Sequence, residues 1–437
     1  MKKNSKEMPI DSVVSIPDDI IIEQYDNGHK IVIAVKEARW LVLSSKHEEE
    51  MFDMLKSHQP ISVLLDKYDE KEASILVSKV CASKISEEID NEKMSELNND
   101  CMYIYLTQGC NLRCKHCYMF SGTKLNNELS VEQWMKVLDA FKKAGGKSVT
   151  FSGGEPLLYH GFAEVVDYAS SIGLIVGVLS NGMLWTDKLL NRLSSSINDI
   201  QISIDGVDED SYNKVRINGD FNKVVENAIK IAKSGINLSI ATTFTFDNLT
   251  EDTKKQYSSL VDRLIEETGK FIDFRLSKNM LNGRDVHYSE KENEAYYKTI
   301  KEIESSIDPE QGNINFIEGH TSPSHNCGIG GITVASNGDV YYCNRISEFA
   351  CDGNILDTPM EYFVKRGEEL NNRTSVDNIY PCKNCSVRYI CGGDCRIDNF
   401  SIHGSDIQRP VYKKSTGECK KKIIDMMFNS FIKYYNF

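Results

Sequence analysis

The sequence predicts an α/β protein: a partial (β/α)6, TIM-like barrel, preceded by a small strand-and-helix domain and followed by a cysteine-rich one. Two observations predict the barrel. Strand-like runs CMYIYL, SVTFSG, LIVGVLSNG, DIQISIDG, LSIATTFTF and FIDFRLS alternate with helical patterns beginning near Ser130, His160, Thr186, Asp220 and Glu251. Strands separated in this way by helices pair in parallel through right-handed crossovers. Polar residues also recur where the strands end, at Thr107 and Gln108, Glu155, Ser180 and Asn181, Ser203 and Asp205. Each alone is an ordinary turn former, but ligand residues of such barrels collect at the carboxyl ends of the strands, so their recurrence favours one pocket. The chain divides into residues 1–97, 98–305 and 306–437.

In the first part, IIIEQY, KIVIAV and WLVLS read as short strands, and KHEEEMFDMLKS, SVLLDKY and EKEASILVSKVCASKI as helices. Three strands and three helices suggest a winged helix-turn-helix. Such folds often bind DNA, yet acids outnumber bases here, and a duplex binder needs a basic face. The acidic stretch SEEIDNEKMSELNND reads as a linker to the barrel. Cys81 and Cys101 sit among apolar residues and are expected to be buried core thiols.

After the first barrel strand comes TQGCNLRCKHCYMF, which spaces Cys110, Cys114 and Cys117 as CxxxCxxC. Three thiolates leave a 4Fe-4S cluster one ligand short, so one iron stays open to a small molecule; the competing reading is a zinc half-site on Cys114 and Cys117. The amphipathic helix SVEQWMKVLDAFKKAG then leads to KSVTFSGGEPLLY. Gly153 and Gly154 let the backbone approach a ligand closely, and Glu155 offers a carboxylate to an ammonium group. Alone, this is also what an ordinary strand-to-helix turn looks like.

Together, CxxxCxxC and the Gly153-Gly154-Glu155-Pro156 strand end resemble the radical S-adenosylmethionine (SAM) enzymes. The resemblance implies that SAM chelates the open iron and that Ser180, Asn181, Ser203 and Asp205 contact its ribose and methionine portions. It assigns Arg216, in VRINGDF, to the carboxylate and His116 to the adenine side. Arg216 reads equally well as a solvated charge at a helix start.

In the last third the chain reads NCGIGGITVASNGDVYYC, then CKNCSVRYICGGDC, then GEC. Cys327, Cys343, Cys382, Cys385, Cys391, Cys395 and Cys419 exceed any single metal site. A chain of 437 residues supplies a large core without disulfide staples, and no signal peptide opens MKKNSKEMPI, so a reducing cytosol is expected. Two zinc ribbons remain an alternative. The spacing resembles the SPASM extension of radical SAM enzymes, which implies two auxiliary 4Fe-4S clusters and three in all. Its pattern gives Cys382, Cys385, Cys391 and Cys419 to an outer cluster and Cys327, Cys343 and Cys395 to an inner one. Cys351 is a candidate for the missing inner ligand, and a substrate thiolate is the other.

With these domains behind it, the N-terminal segment resembles the RiPP recognition element, which captures the leader of a ribosomally made precursor peptide as an added strand. The combination implies a thioether-forming peptide maturase served by an external electron donor such as flavodoxin or ferredoxin. A 5'-deoxyadenosyl radical would abstract hydrogen from a peptide carbon that then closes on a cysteine sulfur. The alternatives are a carbon-carbon or ether cross-linking maturase, a peptide epimerase, and an anaerobic sulfatase-maturating type of enzyme. The last of these has an acidic base where Asn344 follows Cys343 here. An electron-transfer or regulatory iron-sulfur protein would not call for the GGEP strand end. Glu318, His320 and His325 are candidates for a general base by position only. The net charge of -13 disfavours nucleic acid and anionic membrane as partners, and no apolar run approaches the ~20 residues of a membrane span. The end, KKSTGECKKKIIDMMFNSFIKYY, reads as an amphipathic helix with its Met and aromatic residues in a core.

Overall fold

The computed structural model describes residues 9–86, 100–307, 327, 329–346, 350–393, 395–401, 411–412 and 416–435. Glu318, His320 and His325 lie outside them.

At the N-terminus, β1 (Ile20–Gln24), β2 (Lys30–Ala34) and β3 (Arg39–Leu43) form an antiparallel sheet in that order. Three helices follow: α1 (Lys46–Lys56), α2 (Ile61–Lys67) and α3 (Glu70–Ser83). Ser45 caps α1 by accepting from the Glu48 amide, and Asp69 caps α3 by accepting from Lys71 and Glu72. Met51, Phe52 and Leu55 share one face of α1 and are fully buried. A buried ion pair between Lys79 Nζ and Glu48 Oε2, 2.8 Å apart, joins α3 to α1. Cys81 in the last turn of α3 is only half-buried, which corrects the expectation of a core thiol. Cys101 is half-buried too, with Sγ 3.7 Å from Thr150 Oγ1. It opens a strand and shares the barrel's inner face, where side chains are not closed over.

All six barrel strands form where the β-branched runs predict them: β4 (Cys101–Tyr105), β5 (Ser148–Ser152), β6 (Ile175–Ser180), β7 (Asp199–Ser203), β8 (Asn237–Thr242) and β9 (Asp273–Leu276). They pair in parallel in sequence order. Between them run α4 (Val131–Lys143), α5 (Phe162–Ser171), α6 (Asp187–Leu193), α7 (Glu209–Asn213), α8 (Phe221–Lys233) and α9 (Thr253–Thr268), with α10 (Glu290–Ile307) after the last strand. Ser130 and Gln133 form a reciprocal capping box on α4, and Trp134, Val137, Leu138 and Phe141 give it a buried stripe. Along β5, Val149 and Phe151 point into the helical layer and are buried, while Ser148, Thr150 and Ser152 on the other face stay partly accessible. The same alternation in β7 leaves Gln201 and Ser203 on the accessible face, so the inner wall is polar and open rather than filled.

The sheet does not stop at β4. Short strands β10 (Thr333–Val334) and β11 (Val340–Tyr341) extend it, giving the order β11-β10-β4-β5-β6-β7-β8-β9. β10 is parallel to β4 and β11 antiparallel to β10. Two-residue strands are too short to show a period in sequence. Phe363 and Leu370 of α11 (Met360–Arg373) belong to the barrel's core. The last helix, α12 (Thr416–Tyr435), forms as expected, with Met427 and Phe431 buried. It packs on β3, so that with α3 on the same strand Trp40, Leu41, Val42 and Leu43 are all buried. No helix among the described residues is long and apolar enough to cross a membrane.

Candidate active site

The loop carrying Cys110, Cys114 and Cys117 leaves the end of β4 and is held by a carboxylate absent from the sequence-level candidates. Glu128 Oε1 accepts from Thr107 Oγ1 (2.9 Å), the Gln108 amide (2.8 Å) and the Leu125 amide (3.1 Å). Gln108 Nε2 donates to the Met119 carbonyl (2.8 Å), so Thr107 and Gln108 shape the loop. Arg284, well along the chain, donates to the carbonyls of Ser121 (2.6 Å) and Cys114 (3.4 Å). All three cysteines are half-buried. Burial pushes the Cys114 thiol up to about 11, with Cys110 and Cys117 adding to the rise against the pull of Arg216. Burial raises Cys110 as well.

At the end of β5, the Gly154 and Glu155 amides donate to the carbonyls of Thr107 (2.7 Å) and Gly109 (2.8 Å), which clamps the two strand ends together. A Cβ on Gly154 would lie 2.2 Å from the Gly109 oxygen, so only glycine fits. Gly153 has φ +141, a region side chains avoid. Glu155 is fully buried. It accepts from Ser180 Oγ (2.9 Å) and the Asn181 amide (2.8 Å). Burial nevertheless pushes its carboxyl up to about 7, outweighing these hydrogen bonds and the weaker pull of Arg216. Asn181 Nδ2 reaches Asn111 Oδ1 on the cysteine loop (2.8 Å).

Asp205, past the end of β7, is 1% exposed and gathers the side chains of Arg216 and His116. Its Oδ2 lies 2.6 Å from Arg216 Nε and 3.1 Å from His116 Nε2, and its Oδ1 accepts from the Thr243 amide (2.7 Å). Burial opposes its charge, but Arg216 and then His116 outweigh that and hold the carboxyl down at about 2. Arg216 is therefore a buried, paired charge and not a solvated one. His116 Nδ1 is buried without a hydrogen-bond partner among the described residues. Ser203, at the end of β7, is partly accessible on the inner wall. Thr243 and Asn248, whose Nδ2 donates to the Asp205 carbonyl (2.6 Å), carried no sequence signal beyond being polar.

In the last third, a hydrogen bond from Cys395 lowers the Cys327 thiol to about 6, aided by the Arg396 backbone and guanidinium. Burial pushes Cys382 up to about 11, with Cys385 and Cys419 as neighbouring charges that add to it. Arg396 is fully buried and donates to the carbonyls of Thr374 (2.9 Å) and Gly392 (3.0 Å). Cys327, Cys382, Cys391 and Cys395 all act on it electrostatically. Cys343 influences Tyr105 and Tyr118, whose hydroxyls lie 3.3 Å apart, Tyr118 directly following Cys117 in the chain. Cys351 is exposed and neighbours Tyr341.

Residues 104–261 match the family model described as the Radical SAM superfamily. This part of the chain is a radical SAM domain. The sporulation killing factor maturation protein SkfB of Bacillus subtilis is 36% identical to the chain over 183 residues, 41% of this chain and 43% of that protein. An AdoMet-dependent heme synthase of Oleidesulfovibrio alaskensis is 27% identical over 337 residues, 69% of this chain and 83% of that protein. The crystal structure of Streptococcus suis SuiB bound to precursor peptide SuiA has the same fold, with a TM-score of 0.52 at 15% identity over 92% of this chain and 99% of that one.

A radical SAM domain implies a 4Fe-4S cluster and SAM, and the residues present fit both. The thiols of Cys110 and Cys114, which burial holds toward the neutral form, would ionise on binding a metal cation, and the buried Glu155 carboxyl, raised to about 7, would be charged by an ammonium placed beside it. Among the described residues no three His, Cys, Asp or Glu side chains close on one point as a mononuclear ion needs; a cubane sets its thiolates on separate corners.

Proposed function

We propose that the chain is a peptide maturase that forms a thioether between a cysteine and an acceptor carbon of a ribosomally made precursor. The observation that carries this reading is a strand-and-helix module built into the cysteine-rich segment of a radical SAM protein. Its β1-β2-β3 sheet followed by three helices suits a winged, RiPP recognition element-like domain that takes a leader peptide as a strand. Two relatives support a peptide substrate: the name of SkfB speaks of maturation, and SuiB was crystallised with its precursor peptide.

Cys110, Cys114 and Cys117 would hold the first 4Fe-4S cluster, which with SAM supplies a 5'-deoxyadenosyl radical that takes hydrogen from a peptide carbon. Glu155 would receive the SAM ammonium and Arg216, oriented by Asp205, its carboxylate, with Ser180, Asn181 and Ser203 along the same strand ends. His116 presents its unpartnered Nδ1 on the adenine side. A SPASM domain would hold an outer cluster on Cys382, Cys385, Cys391 and Cys419 and an inner one on Cys327, Cys343 and Cys395. Cys351 or a substrate thiolate completes the inner set. Flavodoxin or ferredoxin would supply the electron that cleaves SAM, and the auxiliary clusters would take up the electron released when the carbon radical closes on the deprotonated cysteine sulfur. An exposed amide, Asn344, follows Cys343, so the carboxylate base of a sulfatase-maturating enzyme is missing there.

The test is anaerobic incubation of the reconstituted protein with SAM, reductant and the peptide of a short neighbouring reading frame, followed by alkylation and tandem mass spectrometry. Loss of two hydrogens, with the matching cysteine resistant to alkylation, is expected. Two hydrogens lost with every cysteine still alkylable would mean a carbon-carbon or ether cross-link. An unmodified peptide beside cleaved SAM would sink the peptide reading and favour a small-molecule substrate, as the heme synthase relatives have.

A further inference from the structure

The strand-and-helix module does not close its own core. Buried residues of β2, β3 and α1–α3 form one hydrophobic cluster with Val387 and Ile390, and with Ile424, Met427 and Phe431 of α12. Val387 and Ile390 lie on the turn between Cys385 and Cys391, and Cys419 stands in the first turn of α12. Cys385 itself packs against this cluster. The barrel's core is a separate cluster that contains no residue of the module.

Polar contacts repeat the pattern. Glu23, on β1, accepts at Oε1 from Ser386 Oγ (2.9 Å) and from Lys420 Nζ (2.6 Å). These two donors directly follow Cys385 and Cys419 in the chain. One carboxylate of the module therefore fastens both segments that bring those cysteines together. Further along α12, Tyr25 OH donates to Asp425 Oδ1 (3.0 Å) and its ring stacks on Phe428 at 4.3 Å. Trp40 Nε1 donates to the Met427 carbonyl (3.2 Å).

We infer that the cysteine set Cys382, Cys385, Cys391 and Cys419 is the staple of the N-terminal module, so that order in the peptide-recognising sheet depends on the outer cluster being in place. This rests on the cluster assignment and the peptide reading above. A cluster bridging Cys385 and Cys419 closes a long loop of chain, and such clips remove much of the freedom of the segments they join. Without it, the turn and α12 keep their apolar contacts and the Glu23 bridge but lose the covalent clip between them. Two walls of the module's core are then held less firmly, while those of the barrel are not. By linkage, a leader peptide binds less well to the cluster-depleted protein.

The experiment is hydrogen exchange with mass spectrometry on the full, reconstituted chain, comparing wild type, Cys382→Ala and Glu23→Gln, with iron counted for each. Cys382→Ala is expected to lose one cluster's iron and to exchange amides of residues 30–43 at least ~10-fold faster, with residues 149–178 unchanged. Glu23→Gln keeps all its iron and speeds exchange at residues 20–34 and 420–431 by roughly threefold, as loss of a partly exposed ion pair does. Wild-type exchange at residues 30–43 in a Cys382→Ala protein that has lost the iron overturns the inference. If Cys382→Ala fails to fold, shown by fast exchange at residues 149–178 too, Glu23→Gln decides, and wild-type exchange there overturns it. Full iron in Cys382→Ala overturns both this inference and the outer-cluster assignment under it. None of these readouts uses peptide turnover, so failure of the thioether reading alone leaves them unaffected.

Discussion

Asp205→Asn keeps the shape of a side chain that is 1% exposed and removes the charge that Arg216 and His116 face. The native carboxyl sits at about 2 against an ordinary 3.8, held there by Arg216 and His116 in spite of burial. At ~1.36 kcal/mol per pH unit, that difference corresponds to roughly 2.5 kcal/mol of stability at neutral pH. Leaving the Arg216 guanidinium buried beside a neutral amide sets the upper end, ~4 kcal/mol, because breaking a buried pair strands the remaining charge. A loss of about 2–4 kcal/mol is thus expected. Because the folded value lies below the unfolded one, the wild-type advantage is complete above the unfolded pKa of 3.8 and is lost as pH falls toward 2. Urea unfolding followed by circular dichroism at several pH values measures it. Variant and wild type within ~0.5 kcal/mol at pH 7 would refute the claim that the triad is a net stabilising element of the barrel.

Glu155 gives the opposite pH sign. Its folded value of about 7 lies above the ordinary 4.5, so its own contribution to stability is complete below pH 4.5 and is lost as pH rises through 7. Glu155→Gln, which stays neutral, should gain on wild type in melting temperature between pH 5 and 8, and lose SAM affinity at least ~10-fold by calorimetry. Gly154→Ala drives a methyl into the Gly109 carbonyl; overpacking of this kind costs about 1–3 kcal/mol, and iron uptake at the first cysteine loop should fall with it. Cys114→Ala should abolish release of 5'-deoxyadenosine, as read by chromatography, while leaving the visible absorption of clusters bound elsewhere.

Local pattern carried the barrel. β-branched runs such as SVTFS and capped amphipathic stretches such as that starting at Ser130 commit to strand or helix through contacts a few residues apart. The CxxxCxxC loop and the GGEP strand end were legible for the same reason: their spacing is itself the geometry. Glu128 and Arg284 were not legible, because a carboxylate or a guanidinium that braces a loop looks in sequence like any surface charge.

Sequence by itself determined where the candidate site residues fall along the chain, since cysteine spacing and strand-end polarity are short-range features. Tertiary structure alone decided what those residues stand against. It turned Arg216 from an ambiguous charge into a buried partner of Asp205 and His116. It ran the sheet on through β10 and β11. It also returned α12 to the N-terminal module, where Glu23 meets Lys420 across nearly the whole length of the chain. Such contacts are chosen by which apolar faces remain uncovered once the local elements have formed, and no periodicity within one segment records the face that another will cover.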